Sequence, residues 1–240
     1  MRIRDLILLA GLWVLSPWAR GEGADELARI HTEAIGGKTL LQQWRAMRAT
    51  GAVMTDGVEL DFELIAARPN RVRVVVRTAE RALLQAADGV VAWQQEWNTG
   101  APPRAMAPAE TRDFLADAEF DDPLTSGAER GYTFDYAGQV QWREQSVFKI
   151  LVTRAGDEPS FLLLDPETFF IVARITARRS ATGRTVKMET RYDDFRPVGG
   201  VILPHDIRVY SDGKLLRRTT LRHVLPILEP TPDVFQMPAR

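Results

Sequence analysis

The stretch VELDFELIAARPNRVRVVVR, Val58 to Arg77, decides the fold class. Val58, Leu60, Phe62 and Leu64 alternate with Glu59, Asp61 and Glu63. After a turn at Arg-Pro-Asn, Val72, Val74 and Val76 alternate with Arg71, Arg73 and Arg77. A period of two with one dry and one wet side predicts strands that bury a single face. Upstream, ADELARIHTEAIGG places Leu27, Ile30, Ala34 and Ile35 at helical spacing, and Gly36-Gly37 ends that helix. KTLLQQWRAM then reads as a short second helical turn.

Downstream, ERALLQAADGVVAWQQEW predicts two strands folded at Asp88-Gly89, a strong hairpin signal. A Pro/Gly-rich loop follows, and PAETRDFLADAEFDDPL reads as a helical insertion with Phe114, Leu115, Ala118 and Phe120 on one side. Seven further strand-like runs reach to residue 227, separated by Gly- or Asp-rich turns. The stretch YDDFRPVGGVILPHD, Tyr192 to Asp206, reads as two strands with a corner between them. Pro197 ends the first strand, and Gly199-Gly200 supplies the backbone freedom. The expected fold is mainly β: a single curved antiparallel sheet of about eleven strands forming an incomplete barrel. An N-terminal helix and a central helical insertion cover it.

Composition narrows the function. With 240 residues the chain can bury a sizeable core, and it contains no cysteine. That removes disulfides, thiolate metal sites, a cysteine nucleophile and a lipidated N-terminal cysteine. MRIRDLILLAGLWVLSPWARG, residues 1–21, reads as an export signal cleaved after Gly21. Arg2 and Arg4 precede an apolar run from Leu6 to Leu15, too short for a bilayer core of roughly 30 Å. Ala19 and Gly21 suit the small-residue positions before a cut. Removing the signal leaves 28 basic against 31 acidic residues with no basic block, which gives little footing for nucleic acid. No later stretch is apolar enough to span a membrane. The expected product is one soluble, periplasmic domain, residues 22–240.

Catalytic groups are sparse. The three histidines, His31, His205 and His223, sit in no metal-ligand spacing, and no nucleophile elbow or phosphate-cradling loop is present. Asp121-Asp122 and Asp193-Asp194 read as solvated turn charge, because adjacent strand residues point to opposite faces. No cofactor or metal is expected, and the chain reads as a non-enzyme. A hydrolase using His205 or His223 with an acidic residue is the minor rival. What remains is the dry side of the sheet. Its expected lining is Val58, Leu60, Phe62, Leu64, Val72, Val74, Val76, Trp93, Phe148, Ile150, Val152, Phe161 and Leu163. A sheet this large curls, and two or three helical pieces cannot fill its concave side. Either the side chains collapse on one another or a cavity is left for an apolar guest.

Several segments, in order, resemble the periplasmic lipoprotein-carrier superfamily, the LolA-like and LolB-like folds. The likeness is strongest to its outer membrane lipoprotein-sorting protein branch. The segments are AIGGKTLLQQWRAMRATGAV, DFELIAARPNRVRV, AADGVVAWQQEW, YDDFRPVGGVILPHDIRVYSDGK and PTPDVFQMP, spread over about residues 30–238. The resemblance implies an incomplete β-barrel closed by helices around an apolar cavity that holds acyl chains. It implies a lid-latching role for Arg68, the arginine before Pro-Asn, with partners in PAETRDFLADAEF. The implied function is a soluble periplasmic carrier of a lipid or lipoprotein, meeting an envelope transporter or an outer-membrane acceptor. The alternative is a regulatory or scaffolding module on the same fold that binds an envelope protein.

Overall fold

The computed structural model describes residues 20–97, 99–179 and 183–238; residues 1–19 of the expected export signal lie outside them. Two N-terminal helices, α1 (Arg20–Ala34) and α2 (Lys38–Gln43), precede six strands. These are β1 (Ala46–Thr55), β2 (Val58–Ala67), β3 (Arg71–Arg77), β4 (Ala82–Ala87), β5 (Ala92–Trp97) and β6 (Arg104–Ala105). The insertion holds α3 (Pro108–Asp117), α4 (Pro123–Ser126) and a single 3-10 turn, Ala128–Arg130. Seven strands follow: β7 (Tyr132–Trp142), β8 (Gln145–Arg154), β9 (Ser160–Leu164), β10 (Ile171–Arg179), β11 (Thr185–Val198), β12 (Val201–Ser211) and β13 (Lys214–Ile227). Thirteen strands thus stand where about eleven are expected, the two-residue β6 being an addition.

All thirteen form one antiparallel, curved and unclosed sheet in the order β6-β5-β4-β3-β2-β1-β13-β12-β11-β10-β9-β8-β7. The chain runs out to one edge at β6, reappears at the opposite edge at β7, and works back until β13 pairs with β1. Residues 106–131 therefore have to cross the whole sheet. They cross on one face, which we call inner: Phe114, Leu115, Ala118 and Phe120 pack against Met47, Leu64, Val72 and Val74. At the far side α1 and Leu124 of α4 pack on Tyr132, Ile150, Val152, Leu162 and Leu164 of that same face. The buried stripe of α1 is Ala24, Ala28, His31 and Thr32; of the expected set, Leu27 packs beside it, Ile35 is buried just past the helix end, and Ile30 and Ala34 are half-buried. Small alanines let the helix lie close to the strands.

The insertion is not one continuous helix. Pro108 starts α3, and the Glu110 carboxylate accepts the exposed Ala107 N–H at 2.9 Å, which fixes its first turn. The helix stops at Asp117, and Asp122 restarts helical structure by accepting the Leu124 N–H at 2.8 Å ahead of Pro123. The corner at Gly199-Gly200 is a two-residue hairpin with φ of 54° and 85°, both left-handed as this tight loop requires. Pro197 does not end its strand; it lies within β11 opposite Ile202. The hairpin also seats the end of α1. The Ile202 N–H donates to the Ile35 carbonyl at 2.9 Å, and a Cβ on Gly36 would come within 2.9 Å of the Gly200 oxygen.

The seam between β1 and β13 closes the topology and carries a register shift at Thr50/Gly51. A Cβ on Gly51 would sit 1.9 Å from the Thr220 carbonyl oxygen. Gly51→Ala is therefore expected to lower stability by about 1–3 kcal/mol, the usual penalty of overpacking. Urea unfolding should show an earlier midpoint for this variant than for Thr50→Ala, and equal midpoints would contradict the seam's close approach.

Candidate functional site

The break between α3 and α4 is the most heavily tied point of the molecule. Within Asp117–Asp122 every carboxylate finds a cation on a different element. Asp117 accepts from Arg178 of β10 at 2.6 Å. Glu119 accepts from Arg154 of β8 at 3.2 Å and from the Tyr132 hydroxyl at 2.6 Å, and it pairs with Arg130 at 3.5 Å. Both arginines also stack on the Tyr132 ring. Asp121 takes Arg68 and Asp122 takes His31. The expected solvated turn charge at Asp121-Asp122 is thus corrected: these groups are half-buried and each is held by a partner, Arg68 and His31. Asp193 and Asp194 do stay exposed, with Arg196 forked onto Asp194.

Arg68 stands in the β2–β3 turn. Its Nε donates to Asp121 at 2.6 Å and its Nη2 donates to the other carboxylate oxygen, a two-pronged pairing that a guanidinium fits geometrically. The remaining donors reach the Leu41 carbonyl at 2.7 Å and the Trp44 carbonyl, capping α2. Phe120 lies against the guanidinium plane at 4.9 Å. With side chains only 19% and 13% exposed, Arg68 and Asp121 join the turn, α2 and the insertion in one partly dry contact.

His31 ties α1 into the same break. Its Nδ1–H donates to the Phe169 carbonyl at 2.7 Å, and Nε2 faces Asp122 at 3.4 Å. Burial alone would push the imidazole down, but the Asp122 charge and these two bonds outweigh it and hold it above 6.5. Burial likewise opposes ionisation of Asp122, yet the His31 charge and the Leu124 N–H keep its carboxyl below 3.8.

Strand register places the expected lining residues on two faces. Val58, Leu60, Phe62 and Leu64 share the inner face with Val72, Val74 and Val76 through the pairs Phe62–Val76, Leu64–Val74 and Ala66–Val72. Phe148, Ile150 and Val152 join them at the other end of the sheet. Trp93, Phe161 and Leu163 lie on the outer face instead. Trp93 pairs with Ala86 and donates its indole N–H to the Phe235 carbonyl at 2.8 Å, anchoring the C-terminal segment. Leu163 packs with Val147 and Ala173, and Phe161 lies under the Lys149 ammonium at 3.9 Å. Of the inner set Val58 is exposed at the rim, while Leu60, Phe62, Leu64, Val74 and Val76 are half-buried.

Two cavities are shaped by the described residues. One of about 370 Å³ lies by Gln95–Trp97, and one of about 260 Å³ lies between α1 and α4, lined in part by Ala28, Leu124 and Phe134. Neither opens onto Leu60 or Phe62. His205 is buried and tied to the Leu203 carbonyl, and His223 is exposed; neither pairs with a carboxylate among the described residues. No described helix is long and apolar enough to cross a membrane.

The His31–Asp122 tie makes stability depend on pH. The imidazole's contribution is complete below 6.5 and is lost as pH rises through its higher folded value. The carboxylate's contribution is present above 3.8 and is lost as pH falls through its lower folded value. The thermal midpoint of the protein should decline from about pH 6 towards pH 8.5, and His31→Gln should flatten that decline. Parallel curves for the two proteins would show that the tie carries no such dependence.

No protein-family model matches the sequence, and no curated protein matches it. Solved structures do. A DUF1329 family protein from Desulfovibrio piger superposes with a TM-score of 0.62 at 9% identity, over 90% of this chain and 97% of that one. A LolA superfamily protein from Nitrosomonas europaea gives 0.59 at 13% identity, over 89% and 97%. A domain from Vibrio parahaemolyticus, named for outer membrane lipoprotein sorting, gives 0.58 at 10% identity, over 85% and 92%. The curved sheet, the helical insertion across its inner face and these superpositions together establish a LolA-like fold for this chain.

Proposed function

We propose that the protein is a soluble periplasmic carrier that shelters acyl chains of a lipid or lipoprotein against the inner face of its sheet, for transfer to the outer membrane. The insertion, residues 106–131, acts as its movable cover. The observation that carries this reading is the incomplete covering of the inner face. Leu60, Phe62, Leu64, Val74 and Val76 stay half-buried while the cover above them is tied down by polar groups. The shared fold with a domain named for lipoprotein sorting supports it.

The energetics suit the role. An acyl chain of about 14 methylenes, at roughly 0.8 kcal/mol each, gains on the order of 11 kcal/mol by leaving water. The two shaped cavities, about 370 and 260 Å³, fall at or below the small end of ligand pockets and lie off the apolar track. Loading therefore requires the cover to lift from Met47, Leu64 and Val74. Arg68 is the latch in this reading. Nothing in it calls for a nucleophile, a cofactor or a metal.

Native mass spectrometry and lipid extraction of protein purified from its own envelope should recover a bound amphiphile. Failure of that recovery, together with no uptake of a fluorescent acyl probe, would remove the carrier reading. In Arg68→Leu the Asp121 carboxylate loses its partner, and breaking such a pair weakens docking by about 3–5 kcal/mol. Acyl-probe exchange should then quicken at least tenfold while the far-ultraviolet circular dichroism stays native. An exchange rate equal to wild type would contradict the latch.

A second reading, a regulatory or scaffolding module for an envelope protein, is favoured by one feature. Val90, Val91, Leu225 and Leu228 are exposed apolar side chains at the sheet end that also holds the β2–β3 turn. It predicts an envelope protein whose binding is lost in Leu228→Asp, with no amphiphile recovered.

A further inference from the structure

We propose that the inner face of β10 carries an anion-binding site, built on Arg174 with Tyr192 beside it, that takes the phosphate or carboxylate headgroup of an amphiphile. The inference rests on the carrier reading and deepens it by naming the chemistry of the cargo's polar end.

Register fixes the direction of Arg174. It pairs with Leu162 of β9 on one side and Thr190 of β11 on the other, and Leu162 belongs to the inner face beneath α1. Tyr192 lies one inner-facing position further along β11 and packs against the same cluster. The Nε–H of Arg174 is buried with no protein acceptor, and the guanidinium makes no ion pair or hydrogen bond with any described residue. This separates it from the cations around it. Arg178, two residues along the same face, is held by Asp117; Arg154 is held by Glu119 and Arg68 by Asp121. Arg174 as a whole is half-buried, and a guanidinium whose Nε–H is withdrawn from water with no acceptor is unfavourable until an anion supplies one.

The surroundings suit an anionic headgroup. A guanidinium presents a planar fork that matches phosphate and carboxylate oxygens. The half-buried hydroxyls of Thr176 and Thr190 stand on the same face, alongside the Tyr192 phenol. Burial, together with the Asp117 and Asp122 charges, pushes that phenol up to about 12 against the pull of Arg174, so it stays a neutral donor. Across β12 the face turns apolar, with Ile207 and Val209 half-buried and leading towards Phe62 and Leu60. Between them β13 adds Thr219 and the exposed Arg217 to the same face, so the line runs from a charged end, past a further cation, to an apolar track. Lifting α3 would also release Arg178 from Asp117 and add a second cation.

The test compares heads on one tail. Dodecyl phosphate, dodecanoate and uncharged dodecanol are titrated below their micelle concentrations into the full chain, read by displacement of a fluorescent acyl probe. Both anions should bind at least tenfold tighter than dodecanol, with the advantage shrinking in high salt. Arg174→Gln should erase that difference and leave dodecanol within about twofold of wild type, while Arg174→Lys, which keeps the charge without the fork, should retain part of it. Equal wild-type affinities for the three heads, or an undiminished preference in Arg174→Gln, overturns the site and leaves the carrier intact. Where Arg174→Gln does not fold, the wild-type head comparison and the lysine variant decide. Absence of binding by all three removes the carrier reading. Inorganic phosphate that raises the thermal midpoint of wild type, and raises that of Arg174→Lys by less, would then keep the site as one for a free anion, and no such rise in wild type would overturn it as well.

Discussion

The structure depends on one short acidic segment, Asp117–Asp122, which has to hold a long crossing in place. Strands β6 and β7 lie at opposite edges of a thirteen-stranded sheet, so the connection between them is forced across its inner face. A segment of that length has few backbone partners, and its two helices are short. Carboxylates supply the missing contacts: Arg178, Arg154 with Arg130, Arg68 and His31 each come from a different element and converge on the break between α3 and α4. An exposed ion pair contributes little. Asp117 stays exposed, but Glu119, Asp121 and Arg68 are largely withdrawn from solvent, and removing a partner there would strand a charge in a poorly solvated place. The segment thereby fixes where α1, α2, the β2–β3 turn and strands β7, β8 and β10 stand relative to one another.

The sheet's two faces divide the remaining work. The outer face is largely finished. Glu63 bridges Arg48 and Arg77, Asp206 holds Arg208 and Arg218, and Phe235 is sunk against Ala46, Ala67 and Trp93. Cross-strand charge ladders and a plugged apolar patch cover much of that face, with Leu225 left exposed at its end. The inner face is unfinished. Its ends are packed beneath α3 and α1, but the strands between them keep half-buried Leu60, Phe62, Ile207 and Val209. A curled sheet with one largely finished face and one partly covered face has its chemistry assigned by geometry, before any particular ligand is considered.

Much of this was legible in the sequence, and the failures have physical causes. Alternation over residues 58–77 placed the strands and the correct faces of β2 and β3, because no bulge interrupts that pair. The glycine pair at 199–200 was rightly a corner, since two left-handed residues leave few alternatives. Phe114, Leu115, Ala118 and Phe120 were rightly a shared stripe. The phase of alternation was lost elsewhere, because each loop or bulge between strands resets it. Trp93, Phe161 and Leu163 therefore fell on the outer face, although each looks as apolar as its neighbours. A register slip of one residue exchanges every side chain between faces, and local composition does not reveal it. The acidic ties were missed for a related reason. Asp121-Asp122 beside a proline has the composition of a solvated turn, and the cations that hold it come from positions 31 and 68. Resemblance alone points to Arg68, and its partner Asp121 lies one residue past the stretch, residues 108–120, in which the resemblance puts the lid contact. The pairing itself is a property of the fold.

The choice of polar ties has a consequence for how such a cover can work. A cover held only by apolar burial would compete with an acyl chain for the same surface, so that the tightest closure would also be the strongest bar to loading. Here the two are separated in space. The carboxylates of residues 117–122 engage cations around the break, whereas Phe114 and Leu115 of α3 touch the apolar face. In the proposed carrier, an acyl chain entering along Leu60 and Phe62 would displace α3 from Leu64 and Val74 once Arg68 lets go of Asp121. Charge pairs also respond to what greasy contacts ignore, namely pH, salt and the approach of another charged surface. In the proposed carrier the same segment would hold the cover shut in solution and yield at a membrane or a partner, leaving the apolar face of the sheet unchanged.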